Sequence, residues 1–516
     1  MTGIDTGLEK RVYPHISNLT LAIIALILVK LVLQLYLYSI GFLSVSADEY
    51  SRGITAARWA LDGTIPTAIY MSNWLPFETY LNGLALMVWD NVIWTPRITV
   101  LIFSCFLLVY FVKIVQYLFG RLTVTILAGL LLVFNPWFIW LSGTPMLDIY
   151  YMAPCVAGLY YILKWISGRR GLHLVIAGLL FFFSTGFHSQ SWIFVNVVNL
   201  CLCFFAWRML RQKDYGALVK LVGFFILSNM FILIYIPSEY LATGQWFAMF
   251  RGHAEFTKGF YNGYHIGTLQ KLAYYPKLIA STGNVLWIFL PIGLYWLGGQ
   301  KRKEITLFPF AVGLGTLIFY SAFNVLSVPA AAAPGRYSLP FSILFFPYSA
   351  LGIVVLFKHS GYFTDVRIRR AVAAVLVLCI LGLNFMKARD FEVKSAKAAV
   401  SVGRYLKESM EKDGSDPKKT VMVELSYWDY LYVELAARHF DRVRYDRKES
   451  NEFTGIPSDL ISMGDDDILR YMKSGDTKLI AVKDEAIKKR LDGVAFMHKI
   501  IDLDGWVVYD IDLNHD

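Results

Sequence analysis

Charged residues are scarce in this sequence: Asp, Glu, Lys and Arg make up 17% of its 516 residues, whereas 56% are hydrophobic and the mean hydropathy is +0.49. Soluble proteins carry about a quarter charged residues, so the composition excludes a chain that is soluble throughout. Acidic residues are scarcest before residue 387, where we count 13 acidic and 27 basic residues, against 26 and 22 from residue 387 onward. This shift predicts a transmembrane domain over residues 1–386 and a soluble domain over 387–516.

Cysteine is also scarce, and residues 387–516 contain none. The five cysteines all lie in apolar stretches, which favours packing roles: Cys105, Cys155, Cys201, Cys203 and Cys379. The Cys201-x-Cys203 pair lacks the neighbouring His or Cys ligands of a metal site. The first apolar stretch has no small-residue cleavage site after it, so we expect a retained anchor.

Apolar stretches long enough to cross a membrane predict about eleven transmembrane helices. They lie near residues 18–43, 98–118, 123–141, 147–165, 172–187, 190–208, 220–237, 285–298, 305–326, 338–357 and 371–386.

Basic clusters predict the orientation of these spans, because short cytoplasmic loops are enriched in Lys and Arg. With eleven spans, all the clusters fall on one side of the membrane: Arg121; Lys164, Arg169 and Arg170; Arg208, Arg211 and Lys213; Lys301, Arg302 and Lys303; Lys358, Arg367, Arg369 and Arg370. The other side receives two long loops, 44–97 and 238–284, and the tail from residue 387. We therefore expect an integral protein of a bacterial or archaeal plasma membrane, with its active site and tail on the periplasmic or extracellular side. The basic excess is explained by topology, so we expect no nucleic-acid partner.

The tail alternates helix-like and strand-like stretches, which predicts a small α/β domain. Apolar runs at Thr420–Leu425, Leu479–Val482 and Trp506–Ile511 are typical of strands, as is Arg442–Tyr445. Helical stretches are Ala399–Met410, Tyr427–His439 and Asp484–Leu491. The tail has no glycine-rich phosphate loop, which argues against nucleotide binding there.

Acidic residues at predicted membrane boundaries are the first candidates for chemistry. Asp48 and Glu49 directly follow the first span, and Asp148 lies at the outer end of the fourth. Carboxylates at such positions are costly unless they are hydrated, paired or functional. An ordinary capping box, with Ser46 as the cap and Glu49 at its third helical position, explains the first pair equally well. Asp148 has no basic neighbour in sequence, which favours a functional role.

Further polar residues fall on the same predicted side. His188 lies in the turn between the fifth and sixth spans, where a lone histidine is usually only hydrogen-bonded, and Arg336-Tyr337 lies at the outer end of the tenth. An arginine there offers planar donors for a phosphate, or it anchors the helix at the interface. The long loop 238–284 mixes aromatic and charged residues, which is typical of a lid over a polar ligand.

Several short motifs occur in the order and on the side that a known superfamily shows. They are Asp48-Glu49-Tyr50, Gly63-Thr64-Ile65-Pro66, Pro76 ahead of Tyr80-Leu81-Asn82-Gly83-Leu84, Pro96-Arg97, Asp148 and Arg336-Tyr337-Ser338-Leu339-Pro340. Together they resemble the GT-C superfamily of multi-pass glycosyltransferases, nearest its protein O-mannosyltransferase and aminoarabinose-transferase branch. Aminoarabinose transferases carry a Glu-Lys-Pro-Pro-like run, for which this chain has Asn73-Trp74-Leu75-Pro76, with Glu78 out of register. The resemblance therefore leaves the sugar open.

The resemblance implies transfer of a sugar, with inversion, from a polyprenyl-phosphate donor to a lipid, glycan or protein acceptor. A carboxylate must take the proton of the attacking hydroxyl, and we assign Asp48 as this general base, with Glu49 and Asp148 orienting the reactants. We assign donor phosphate binding to Arg336, Tyr337, Arg251 and Lys258. We assign acceptor or lid contacts to His188, Glu78 and His253. Asp48, Glu49 and Asp148 could also supply oxygen ligands to Mg²⁺ or Mn²⁺, although the resemblance implies no required cofactor. Membrane lipids are the other expected partners.

Two other classes of function compete with this interpretation. A transporter or polymerase of lipid-linked glycans would place ionisable residues near the bilayer midplane and often shows two related halves. A scaffold that recruits a partner through the tail would not need these carboxylates.

Overall fold

The computed structural model describes residues 16–39, 43–44, 46–63, 75–252, 267–283, 286–298, 303–326, 335–359, 365–389, 394–412, 419–425, 428–447 and 458–514. Its long apolar runs are helical, since a helix satisfies its backbone hydrogen bonds within one segment. Up to residue 389 the helices are α1 (Ile16–Ser39), α2 (Asp48–Asp62), α3 (Pro76–Val88), α4 (Trp94–Phe119), α5 (Leu122–Val133), α6 (Pro136–Leu141), α7 (Leu147–Gly168), α8 (Gly171–Phe187), α9 (Gln190–Arg211), α10 (Tyr215–Thr243), α11 (Thr268–Gly283), α12 (Leu286–Leu297), α13 (Lys303–Leu326), α14 (Leu339–His359) and α15 (Val366–Arg389).

Within the described ranges, seven helices are long and apolar enough to cross a membrane: α1, α4, α9, α10, α13, α14 and α15. The helices α5, α8 and α12 are apolar but shorter. The chain is therefore an integral membrane protein, and the predicted polytopic helical fold with a C-terminal α/β domain is confirmed.

One predicted span is divided in two. The stretch 123–141 forms α5 and α6, with a break at Asn135-Pro136. The Asn135 side chain accepts the backbone N–H of Phe138 at 3.0 Å, and Pro136 takes the first turn of the new helix. Both residue types favour a helix start, and the apolar content of the run conceals this break.

Tertiary contacts divide the chain into two units. The first contains Met1–Leu35, Pro66–Glu78 and Ile98–Phe391, and the second contains Tyr36–Ile65, Thr79–Arg97 and Glu392–Asp516. Two segments of the predicted outer loop 44–97 thus group with the tail.

In the first unit, α12 and α14 approach each other backbone to backbone. A methyl group added to Gly352 would lie 1.9 Å from the carbonyl oxygen of Phe289, and one added to Gly293 would lie 2.1 Å from that of Tyr348. Small residues allow such close packing between helices in a membrane, where lipid gives no hydrophobic force to join them.

The second unit contains a five-stranded sheet with the strand order β4-β3-β5-β7-β6. A separate two-stranded pairing joins β1 to β2. The strands are β1 (Leu43–Ser44), β2 (Lys394–Ser395), β3 (Thr420–Val423), β4 (Val443–Tyr445), β5 (Thr477–Val482), β6 (Met497–Leu503) and β7 (Trp506–Ile511). The strand β3 is parallel to β4 and β5, whereas β7 is antiparallel to β5 and β6. The tail helices are α16 (Lys397–Lys412), α17 (Tyr430–Ala437), α18 (Asp459–Ser462), α19 (Asp465–Ser474) and α20 (Glu485–Leu491).

Helices cover both faces of this sheet. On one face Val421 and Val423 pack in a core with α16 and α17, and on the other Met422 packs in a core with α19 and α20. Successive strand residues point to opposite faces, so both faces need apolar side chains. This need explains the continuous apolar runs Val421–Val423 in β3 and Leu479–Val482 in β5.

The helix α2 packs against the tail in the second unit. Tyr50 lies 3.8 Å from Tyr432 between ring centroids, and Arg58 forms an ion pair with Glu434 at 3.1 Å. Leu43 also pairs with Ser395 in the β1–β2 ladder. The segment that follows the first span is therefore part of the core of this unit.

Candidate functional site

Each unit contains a buried carboxylate beside an arginine. In the first unit, Asp148 lies in the first turn of α7, and Arg336 lies in a short 3₁₀ turn, Gly335–Ser338. The Arg336 Nε atom is 3.5 Å from Asp148 Oδ2, and the two residues are 8% and 3% exposed. Asp148 thus has a basic neighbour from the end of the membrane domain, which sequence distance conceals.

Tyrosines surround this pair. The guanidinium carbon of Arg336 lies 5.3 Å from the ring centroid of Tyr337, and Tyr151 follows Asp148 by about one helical turn. Asp148 and Tyr320 are both electrostatic neighbours of Tyr151. Buried tyrosines combine a flat apolar face with a polar tip. The arrangement therefore suits a ligand that carries both hydroxyl groups and a negative charge.

His188 lies beside these tyrosines. Its Nδ1 atom accepts the backbone N–H of Gln190 at 3.0 Å, and its ring centroid is 5.6 Å from that of Tyr151. The hydroxyl of Tyr151 donates to Gln190 Oε1 at 2.9 Å. The first unit thus brings Asp148, Arg336 and His188 to one group of tyrosines.

In the second unit, Glu49 on α2 lies beside Arg97 on α4. Their Oε2 and guanidinium nitrogen atoms are 3.5 Å apart, and the residues are 2% and 3% exposed. Arg97 also donates to the Tyr50 hydroxyl at 3.0 Å and to the Ile93 carbonyl at 2.9 Å. Burial raises the pKa of Glu49 to about 7, although the charge of Arg97 opposes this rise. Asp48, one residue earlier, is only partly buried.

The capping box that competed with a functional role for Glu49 does not form. The residue before α2 is Ala47, which makes no side-chain cap, and the Glu49 side chain contacts Arg97 instead. Ser46 Oγ accepts only the backbone N–H of Asp48, at 3.3 Å. This interpretation is wrong because a buried guanidinium competes more strongly for the carboxylate than a helix start does.

The other predicted residues divide between described and undescribed positions. Glu78 is buried in the first turn of α3, in the first unit, and Arg251 is exposed. Lys258, His253 and residues 64–74 lie outside the described residues. Asp48 and Glu49 belong to the second unit, and Asp148 belongs to the first.

A divalent metal has little support from this geometry. Among the described residues, no three His, Cys, Asp or Glu side chains could hold a metal ion together. Glu49 and Asp148 each already have a guanidinium within 3.5 Å, and its charge would repel an incoming cation.

Lys30 is a buried residue that belongs to none of the sequence motifs. It lies inside α1, is 3% exposed, and its Nζ atom is 5.2 Å from the Phe138 ring centroid. Gln34, one turn later, is also 3% exposed. A lysine within a membrane span is a functional candidate by position alone, and this signal is visible in the apolar run itself.

Comparisons with known proteins give a match at the level of structure. No protein-family model matches the sequence, and no curated protein matches it. A crystal structure of ArnT from Cupriavidus metallidurans in the apo state matches with a TM-score of 0.61 and 12% sequence identity, covering 95% of this chain and 98% of that one. A second structure, of ArnT from Cupriavidus metallidurans bound to undecaprenyl phosphate, matches with a TM-score of 0.62 and 12% identity, covering 94% and 97%. The chain has the ArnT fold.

ArnT is an aminoarabinose transferase of the GT-C superfamily. The resemblance seen in the sequence motifs is therefore confirmed for the fold, over nearly the whole length of both chains. At 12% identity the ArnT likeness concerns the fold alone.

Proposed function

We propose that this protein is a membrane glycosyltransferase that moves a sugar from a polyprenyl-phosphate donor to a hydroxyl group on a lipid, glycan or protein acceptor. The supporting fold is that of ArnT, which has been crystallised with undecaprenyl phosphate.

The observation that carries the proposal is the buried pair of Asp148 and Arg336 among tyrosines. A guanidinium offers fixed, planar donors that match phosphate oxygens, and the carboxylate holds it in position. A polyprenyl-phosphate sugar presents the matching features, a negative phosphate next to a ring of hydroxyl groups.

The reaction needs one bond to form and one to break. The acceptor oxygen attacks the anomeric carbon from the face opposite the phosphate, the bond from carbon to phosphate oxygen breaks, and the anomeric configuration inverts. The resemblance in the sequence motifs assigns the proton of the acceptor hydroxyl to Asp48, the more exposed of the two adjacent carboxylates. Arg336 stabilises the charge on the departing lipid phosphate. Glu49, held by Arg97, orients the segment that carries Asp48.

The test is a transfer assay on the purified full chain. A panel of radiolabelled polyprenyl-phosphate sugars is incubated with the protein and a mixture of membrane lipids, glycans and peptides, and release of the bare lipid phosphate is measured. At least one donor should react. The Asp48→Asn substitution should lower the turnover of that donor by roughly 10²–10⁴-fold, since the substitution removes the general base.

The matched control is Asp504→Asn. Asp504 is exposed in the tail with a positive φ of 47°, a conformation that Asn tolerates. The turnover of the Asp504→Asn variant should therefore equal that of the wild type. Wild-type turnover by Asp48→Asn would reject the assignment of the base. Movement of intact donor across vesicle membranes, without loss of sugar, would favour a transporter instead.

A further inference from the structure

The first unit contains a groove of about 600 Å³ between α5, α14 and α15. Its walls are apolar and come from all three helices: Ile126 and Leu130, Ile353 and Phe357, and Ala373 and Val377. None of the residues of the Asp148–Arg336 group lines it. A volume of this size is ordinary for a small-molecule site.

One end of the groove is cationic. Lys358 lies near the end of α14, and Arg369 and Arg370 lie in the first turns of α15, all three lining the groove. Arg369 donates to the carbonyl oxygen of Lys358 at 3.2 Å, which joins the two helix ends.

These cations have no ion pair among the described residues of the chain. The acidic residue nearest in sequence, Asp365, accepts the backbone N–H of Arg367 at 2.7 Å. The groove therefore has a net positive end and an apolar interior.

The length of the groove matches one leaflet of a bilayer. From Arg369 to Val377, α15 rises by about 12 Å at 1.5 Å per residue, and half of the hydrocarbon core measures about 15 Å. A phospholipid has the same layout, with an anionic phosphate at the end of apolar chains. Basic pockets between transmembrane helices bind such headgroups.

We infer that this groove binds an anionic membrane phospholipid, with its phosphate on Lys358, Arg369 and Arg370 and an acyl chain between α5 and α15. The distribution of basic residues predicts that this end faces the cytoplasm, so the lipid belongs to the cytoplasmic leaflet. The lipid is bound rather than chemically changed, and this inference does not depend on the proposed sugar transfer.

The experiment measures lipid binding to the purified, delipidated full chain in a neutral detergent. Native mass spectrometry is used to compare phosphatidylglycerol, phosphatidylcholine and undecaprenyl phosphate, each at the same concentration. We expect phosphatidylglycerol to bind most tightly and to lose affinity at high salt, since exposed charges are screened.

Three variants locate the site. The triple variant Lys358→Gln, Arg369→Gln, Arg370→Gln should bind phosphatidylglycerol roughly 10–100-fold more weakly, from the contribution of each cation near an anionic headgroup. The matched control Arg170→Gln, Lys213→Gln, Lys220→Gln removes the same charge from exposed residues outside the groove and should bind within about twofold of the wild type. Ala373→Trp fills the groove but keeps all three cations, and it should also lose binding.

Equal binding by the wild type, the triple variant and Ala373→Trp would overturn the inference. Preferential binding of undecaprenyl phosphate at the groove would overturn the assignment to a phospholipid. If the triple variant fails to fold, as judged by size-exclusion chromatography, Ala373→Trp decides. Because the readout is bound lipid, a chain that binds lipid but transfers no sugar would refute only the proposed function.

Discussion

At the scale of single residues, each unit has a buried ion pair among its candidate residues, Glu49 with Arg97 in the second and Asp148 with Arg336 in the first. The attraction within a buried pair is largely offset by the cost of removing both charges from water. Removing one partner is costly, because the other charge remains buried. Substitutions in such pairs therefore test whether the contact forms and acts in transfer, whereas the intact pairs add little net stability to the fold.

Arg336→Gln should lower the free energy of unfolding by about 3–5 kcal/mol if Asp148 stays charged. The double variant Asp148→Asn, Arg336→Gln should recover most of that loss, because no buried charge remains. Transfer should stay low in both variants, with a larger rise in KM for the donor than for the acceptor. Thermal unfolding and steady-state kinetics give the two readouts. Recovery of transfer in the double variant would show that the pair is only structural.

Glu49 should make stability depend on pH. Its folded pKa of about 7 lies above the ordinary value of 4.5, so the folded state holds this proton more tightly than the unfolded state. The stabilisation that comes from binding this proton is complete below about pH 4.5 and is lost as the pH rises through about 7. It amounts to at most roughly 3 kcal/mol. Thermal unfolding from pH 5 to 8 should therefore show a flatter pH dependence for Glu49→Gln than for the wild type. Equal slopes would contradict a raised pKa.

The sequence reveals the charged residues of the site but not their partners. Asp48, Glu49, Asp148 and Arg336 stand out because charge is rare in apolar surroundings. The pairing of Glu49 with Arg97 joins positions 48 residues apart, and the pairing of Asp148 with Arg336 joins α7 to the distant 3₁₀ turn Gly335–Ser338. No local spacing rule connects such residues, so these contacts depend on the tertiary fold.

At the scale of helices, the contact between α12 and α14 gives a sharp test. Gly352→Ala places a methyl group 1.9 Å from the Phe289 carbonyl oxygen, so the helices must separate, at a cost of about 1–3 kcal/mol or more. Gly382→Ala on α15 is the control, since an added methyl group meets nothing within 4 Å there. Thermal unfolding in detergent should show a large loss for the first variant and none for the second. Equal stability of the two variants would mean that these helices do not touch.

The elements that the sequence predicts are those with a strong apolar pattern. The strand β7 has the predicted bounds Trp506–Ile511, and β5 extends the predicted strand by two residues to Thr477–Val482. The edge strand Met497–Leu503 is missed because most of its residues are exposed, so it shows neither an apolar run nor a regular alternation. The helix Asp465–Ser474 is also missed, since only Ile468 and Met472 are buried and give a weak apolar pattern, although its three initial Asp residues suit a helix N-terminus.

At the scale of the whole molecule, the basic clusters predict that the tail lies on the non-cytoplasmic side. A variant without the five native cysteines can carry a single new one, either Ser474→Cys in the tail or Gln212→Cys after α9. Both positions are exposed. A membrane-impermeant maleimide applied to intact cells should label the first, and should label the second only after permeabilisation. The reverse pattern would invert the topology and place the tail in the cytoplasm.

Composition predicts the membrane class and the soluble tail because these depend on averages over many residues. It does not predict that residues 36–65 and 79–97 group with residues 392–516. Tyr50, Ile54 and Ala57 are buried, but their spacing on α2 shows only that one face of the helix must pack against other residues. Which residues pack against that face depends on the tertiary fold.

The pairing of α2 with the tail also sets an order in time for biosynthesis. Tyr50 is made about 380 residues before Tyr432, which at about 5–20 residues per second is a delay of roughly 20–75 seconds. During this interval the apolar face of α2 lacks the surface that covers it in the finished protein. A chain that ends prematurely after α15 would keep that face uncovered, so we expect it to be degraded faster than the full chain. Completion of the tail is thus the step at which the core of the second unit can close.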